Sequence, residues 1–148
     1  MSGKKHILWI EREDPGMQQA IERAQATLAY FCDELATEAQ RIVPAFDAVV
    51  IKAFFPDGRD PMRGEHMWLE DVTFKSGVFH GRLANEPGLL EGFSEGDDIS
   101  VAPSQVSDWV LVRNGKGEGG YTLELISHRM THAEWSEAAT LPPFIWFV

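Results

Sequence analysis

Between Met17 and Ile42, apolar residues recur at three- and four-residue steps, the spacing of one stripe on a helix. Met17, Ile21, Ala24, Leu28, Phe31, Leu35 and Ile42 fall on that stripe, while Glu22, Arg23, Asp33, Glu34, Glu38 and Arg41 lie largely off it. Asp14-Pro15 supplies an N-cap residue followed by proline at the first helical position, and Pro44 marks the far end. A helix of this length, bent or broken near Thr37, must lay its stripe on a sheet built from the rest of the chain. Upstream, Lys5 to Ile10 has the length and character of a short first strand.

Downstream the period changes to that of strands. Ala48 to Phe55 is β-rich and ends at Pro56-Asp57-Gly58, a turn signal, after which the chain reads as loop to Gly64. Met67–Phe74 and Val78–Leu83 are strand-length segments joined by Lys75-Ser76-Gly77, a tight hairpin in which glycine supplies a positive φ. Asn85 to Gly96 reads as a long connection that tucks Leu89, Leu90 and Phe93 inward. Ile99–Ala102, Trp109–Val112 and Tyr121–His128 then complete a meander punctuated by Asn114-Gly115 and Gly119-Gly120. Thr131-His132-Ala133-Glu134 is a capping box opening a short helix through Glu137 or Ala138. The pattern predicts one α+β domain over residues 1–148. A long N-terminal helix packs on a strongly bent antiparallel sheet of about five to seven strands, or on a small barrel, with a short C-terminal helix.

The apolar tail 141–148 is expected to enter in extended form through its two prolines and to pack as a strand on the sheet of its own domain. Docking on a partner, or on a second copy to give a homodimer, is the alternative for so apolar a segment.

At 148 residues the chain can bury a core without a staple, and its one cysteine, Cys32, excludes an internal disulfide. Ile7 to Ile10 is too short for the core of a signal peptide and no run has transmembrane length, so a cytoplasmic location is expected. Lysine plus arginine number 13 against 23 aspartate plus glutamate, and the resulting charge of −10 repels nucleic-acid phosphates and anionic lipids. Neither nucleic acid nor membrane is an expected partner. Glu86, Glu91, Glu95, Asp97 and Asp98 fall within thirteen residues that hold no lysine or arginine. A solvated loop is the default for such a run, and a docking surface for a basic partner the alternative.

Catalytic patterns fare poorly. His128 and His132 have the spacing of a zinc pair, but a strand holding His128 and a new helix opening at His132 would not share a face, so no metal is expected. Glu65 and His66, as strand neighbours, point to opposite faces, and a hydrogen-bonded structural histidine is favoured. Gly96-Asp97-Asp98 reads as a turn and not as a carboxylate pair. The glycine-rich run from Gly115 to Gly120 precedes a β-rich segment, so it reads as a hairpin and not as a phosphate loop. Ser104, Ser107 and Ser127 lack the glycines of a nucleophile elbow and no histidine pairs with them. Cys32 has no basic neighbour and reads as a half-buried helix residue. No cofactor is expected.

The order of several small islands is more specific than any one of them. These are Ala20-Ile21 to Phe31, Lys52 with Phe54, Glu65-His66-Met67-Trp68, Gly77-Val78-Phe79-His80-Gly81-Arg82-Leu83, Asn85 with Pro87, Gly96-Asp97, Val106-Ser107-Asp108-Trp109 and Gly119-Gly120-Tyr121-Thr122. In this the chain resembles the YegJ-like family of bacterial domains of unknown function. The resemblance implies kinship in size and setting with small cytoplasmic antitoxin-like proteins. The leading expectation is therefore a non-enzymatic immunity protein that neutralises a bacterial toxin by direct binding, with Glu86, Glu91, Glu95, Asp97 and Asp98 opposing a basic surface. The alternatives are an enzyme of unrecognised class using Glu65, His66 or Asp97 in a cleft beside Trp68 and Trp109, and a stress-linked structural domain.

Overall fold

A computed structural model describes residues 14–148, and the strand expected at Lys5 to Ile10 lies outside them. Asp14 caps α1 (Pro15–Ala26), its Oδ1 accepting from the amides of Gly16 and Met17. The helical stripe then continues into α2 (Leu28–Gln40), so one expected helix is two. The break falls at Thr27 and not near Thr37. The Thr27 hydroxyl donates to the carbonyls of Arg23 and Ala24 and accepts from the indole nitrogen of Trp109, drawing the chain out of helical register. The second helix ends at Gln40, with Arg41 already extended, which leaves Ile42 almost wholly exposed and off the stripe.

Six antiparallel strands follow among the described residues: β1 (Ala48–Asp57), β2 (Asp60–Lys75), β3 (Val78–Leu83), β4 (Asp98–Val101), β5 (Val106–Arg113) and β6 (Lys116–Gly119). Their order is β4-β3-β2-β1-β5-β6, an open sheet with β4 and β6 at its edges and not a barrel. The segment expected as loop before Gly64 is instead strand, because β1 and β2 pair out to Asp57 opposite Asp60. Gly64 allows this: a Cβ there would sit 2.3 Å from the Phe55 carbonyl oxygen. The hairpins at Ser76-Gly77 and Asn114-Gly115 are as expected, with both residues of each turn at positive φ.

Alternation splits the sheet into two apolar faces. Ile51, Ala53, Phe55, Met67, Leu69, Phe79 and Leu111 join Phe31 and Leu35 in the larger core, with Trp109 stacked on Phe31 at 5.2 Å between ring centroids. Val50, Val110 and Val112 join Leu123, Trp68, Phe144, Trp146 and Phe147 on the other face.

Tyr121–His128, expected as the last strand, is instead helix α3 (Tyr121–Arg129). The capping box forms as expected and opens α4 (His132–Ala138). The tail does pack on its own sheet, but as a short 3-10 turn over Phe144–Phe147 and not as a strand. Its Phe147 ring lies against Gly117 and Gly120, where a Cβ would come within 2.6 Å.

Candidate functional site

A row of polar residues crosses the sheet on the face that α3 and the tail cover. Lys52, 5% exposed, stands opposite Trp68 of β2 and Asp108 of β5, its ammonium 5.5 Å from the Trp68 ring centroid. Asp108 is fully buried, and its carboxylate accepts from the amides of Trp109 (2.9 Å), Tyr121 (3.1 Å) and Thr122 (2.9 Å) and from the Thr122 hydroxyl. Burial pushes the Asp108 carboxyl up, opposed by the Thr122 donors and the positive charge of Lys52. A strand carboxylate thus caps the first turn of α3. Gly120, at φ 68°, makes the sharp entry that brings those amides to it. A helix does follow the glycine-rich run, contrary to expectation, but its leading amides are already taken by the chain's own anion.

One strand position further on, a bulge between Lys52 and Ala53 leaves Ser107 between two paired residues of β5. Ser107, expected to lack a histidine partner, has one: its Oγ lies 2.9 Å from Nδ1 of His66. The same hydroxyl donates to the Lys52 carbonyl at 3.2 Å, so the proton on the shared hydrogen bond comes from the imidazole. That direction is opposite to the one in which a base activates a serine. A cavity of about 300 Å³ opens beside the pair, walled also by Gln18, Gln25, Phe54 and Gln105. Ser100 and His80 form a second such contact at 2.9 Å, on the exposed side of β3 and β4.

Glu65, His66 and Asp97 do not converge. Glu65 is 3% exposed, pairs with Phe55 of the larger core, and accepts from the amides of Gly88 (2.6 Å), Leu89 (2.8 Å) and Leu90 (3.1 Å). Asp97 accepts from the Ser94 amide, which closes the expected turn at Gly96 (φ 92°).

The acidic segment is therefore held, and not merely solvated. Glu86 accepts from the Glu95 amide, so Glu86 and Asp97 brace the loop internally. Glu91, Glu95 and Asp98 face solvent. Glu91 meets Arg59 at 3.7 Å, with both side chains more than four-fifths exposed, and among the described residues neither Glu95 nor Asp98 has an ion-pair partner.

Other charges tie elements together. Arg129 of α3 holds the Asp14 carboxyl down at about 2, joining the start of α1 to the end of α3. Cys32 is half-buried in α2, as expected, and burial pushes its thiol up. His128 and His132 lie on separate helices, and among the described residues no group of three or more potential ligands could hold a metal. None of the helices described is long and apolar enough to cross a membrane.

A second cavity, of about 480 Å³, lies where α3, α4 and the tail meet, with Glu124, Ser127 and His128 on one side and Trp135, Phe144 and Phe147 on the other. The Trp135 and Phe144 rings stand at 84°, centroids 6.0 Å apart. No local pattern marks this pocket, whose walls come from β6, α3, α4 and the tail.

Lys52 and Asp108 were legible only as parts of islands. A lysine and an aspartate each set among strand-forming apolar residues, Val49 to Phe55 and Val106 to Val112, was the available sign that both are buried.

Fold and polar features together define a small α+β domain with an open antiparallel sheet, a capped polar row beneath its second face and a braced acidic loop. The family described as "Uncharacterized protein conserved in bacteria (DUF2314)" matches residues 14–140, and the chain belongs to it. It is 38% identical over 138 residues, 93% of this chain, to a Neisseria meningitidis serogroup B protein that carries the provisional name of ankyrin repeat protein, of which the match covers 54%. It is also 38% identical over 65 residues to the uncharacterized protein YegJ of Escherichia coli, covering 44% of this chain and 42% of that one. The chain thus spans about half the length of the curated relatives it matches. No solved structure matches it.

Proposed function

We propose that this chain is a non-catalytic binding domain of the immunity type, which neutralises a toxic protein in the cytoplasm by covering a basic surface. The observation that carries the reading is the buried Glu65 carboxylate gripping three consecutive loop amides, from Gly88 to Leu90. It fixes the backbone from which Glu91, Glu95 and Asp98 project, so a basic partner meets charge already in place and loses less ordering entropy on binding. The net charge of −10 adds a long-range field that steers such a partner.

Expressing each reading frame that flanks the gene, alone and together with this chain, tests the proposal. A basic product that arrests growth by itself, is neutralised by the wild type, and escapes a variant carrying Glu91→Gln, Glu95→Gln and Asp98→Asn supports it. Harmless neighbours, or neutralisation indifferent to the charge-neutral variant, overturn it.

A further inference from the structure

We propose that the pocket between α3, α4 and the C-terminal turn receives a single arginine side chain of a basic partner protein; the identity of that source rests on the reading above. Two aromatic walls, Trp135 and Phe144, meet near a right angle, and Phe147 supplies a third ring. Aromatic faces carry partial negative charge and attract a cation seated over them. Glu124 lines the same space, and among the described residues its carboxylate has neither a hydrogen-bond nor an ion-pair partner. Among the described residues no lysine or arginine lines the pocket, and its one other ionisable side chain is His128. The positive end of α3 does not offset this, because Asp108 already occupies its leading amides. The volume of about 480 Å³ falls within the range of ligand clefts.

A guanidinium fits this chemistry better than an ammonium. Its flat face stacks on indole and phenyl rings while its edge pairs with a carboxylate. The surroundings select a protein over a free amino acid. The turn that supplies Phe144 and Phe147 also exposes Leu141 (63%), Ile145 (41%) and Val148 (67%). Apolar surface of this kind around a charged contact excludes water in a protein interface and does nothing for a small polar ligand. The turn lies beyond residues 14–140, the stretch matched by the family.

The test uses the capped peptide Leu-Arg-Leu, its citrulline counterpart and free arginine, titrated into the ¹⁵N-labelled chain. The reporter is the indole N–H resonance of Trp135, assigned with Trp135→Phe. The arginine peptide is expected to shift that resonance saturably, at least about tenfold more tightly than either control, and Glu124→Gln is expected to weaken it by about two- to fivefold. Glu124 is exposed, so its replacement leaves the fold in place, and the citrulline arm requires no variant. Equal binding of the citrulline peptide, equal binding of free arginine, an unchanged affinity in Glu124→Gln, or no shift at all overturns the proposal. If the arginine peptide binds while the neutralisation test fails, the immunity reading falls and the cation site stands. If neutralisation holds and the peptide does not bind, only the pocket assignment falls.

Discussion

Replacing Asp108 with alanine tests the joint on which the last third of the chain turns. The carboxylate is fully buried and serves the amides of Trp109, Tyr121 and Thr122 and the Thr122 hydroxyl. Thr122 is itself fully buried, so its amide and hydroxyl would be left without that acceptor, at about 1–3 kcal/mol for an unsatisfied buried group. Losing a helix cap costs about 0.5–2 kcal/mol, overlapping with the first figure because the Thr122 amide belongs to both. Against these stands the relief of no longer burying a carboxylate. A net loss of about 2–4 kcal/mol is expected in urea melts at neutral pH. Amide exchange should rise more in α3 than in β1. A loss under about 0.5 kcal/mol, or exchange raised equally everywhere, would refute the capping role.

Asp108→Asn keeps the shape and removes the titration. Because burial raises this carboxyl, the folded state keeps its proton to a higher pH than the unfolded chain, whose carboxyl titrates near about 3.9. Stability contributed by the group is then greatest below the unfolded value and falls as pH rises through the raised one. The wild type's margin over Asp108→Asn should be larger at about pH 4 than at about pH 7. A margin that grows with pH would mean that the donors outweigh burial.

Three further outcomes follow from the packing. Glu65→Ala should cost about 1–3 kcal/mol and speed amide exchange at Gly88, Leu89 and Leu90 ahead of the sheet; unchanged exchange there would show that the loop holds itself. Gly120→Ala should cost about 1–3 kcal/mol, from a left-handed backbone and a Cβ within 2.6 Å of the Phe147 ring, and Phe147→Ala in the same chain should recover part of it; strictly additive losses in a double-mutant cycle would disprove the contact. Deleting 144–148 removes three half-buried aromatic side chains and should lower stability by about 2–4 kcal/mol at unchanged sedimentation, whereas an intact melt with lost self-association would place the tail between copies.

Features whose cause is local were legible in the residues themselves. The 3.6-residue stripe from Met17 to Leu35, the hairpins at Ser76-Gly77 and Asn114-Gly115 and the capping box at Thr131 each carry their physics within a few neighbours. So did the clustering of Glu86 to Asp98 and its turn at Gly96. Wherever the deciding partner lies far along the chain, tertiary structure took over. Thr27 ends α1 with its hydroxyl held by Trp109, 82 residues on, and no local signal sets it above Thr37. Tyr121-Thr122-Leu123-Glu124-Leu125 alternates like a strand, yet it coils because Asp108 receives its first amides and Gly120 turns the chain toward them. Glu65 looked like a candidate acid and is an anchor, because a lone carboxylate in a strand does not reveal which loop amides will close over it. The pocket between α3, α4 and the tail is the extreme case, since its walls come together only when folding sets those elements against one another.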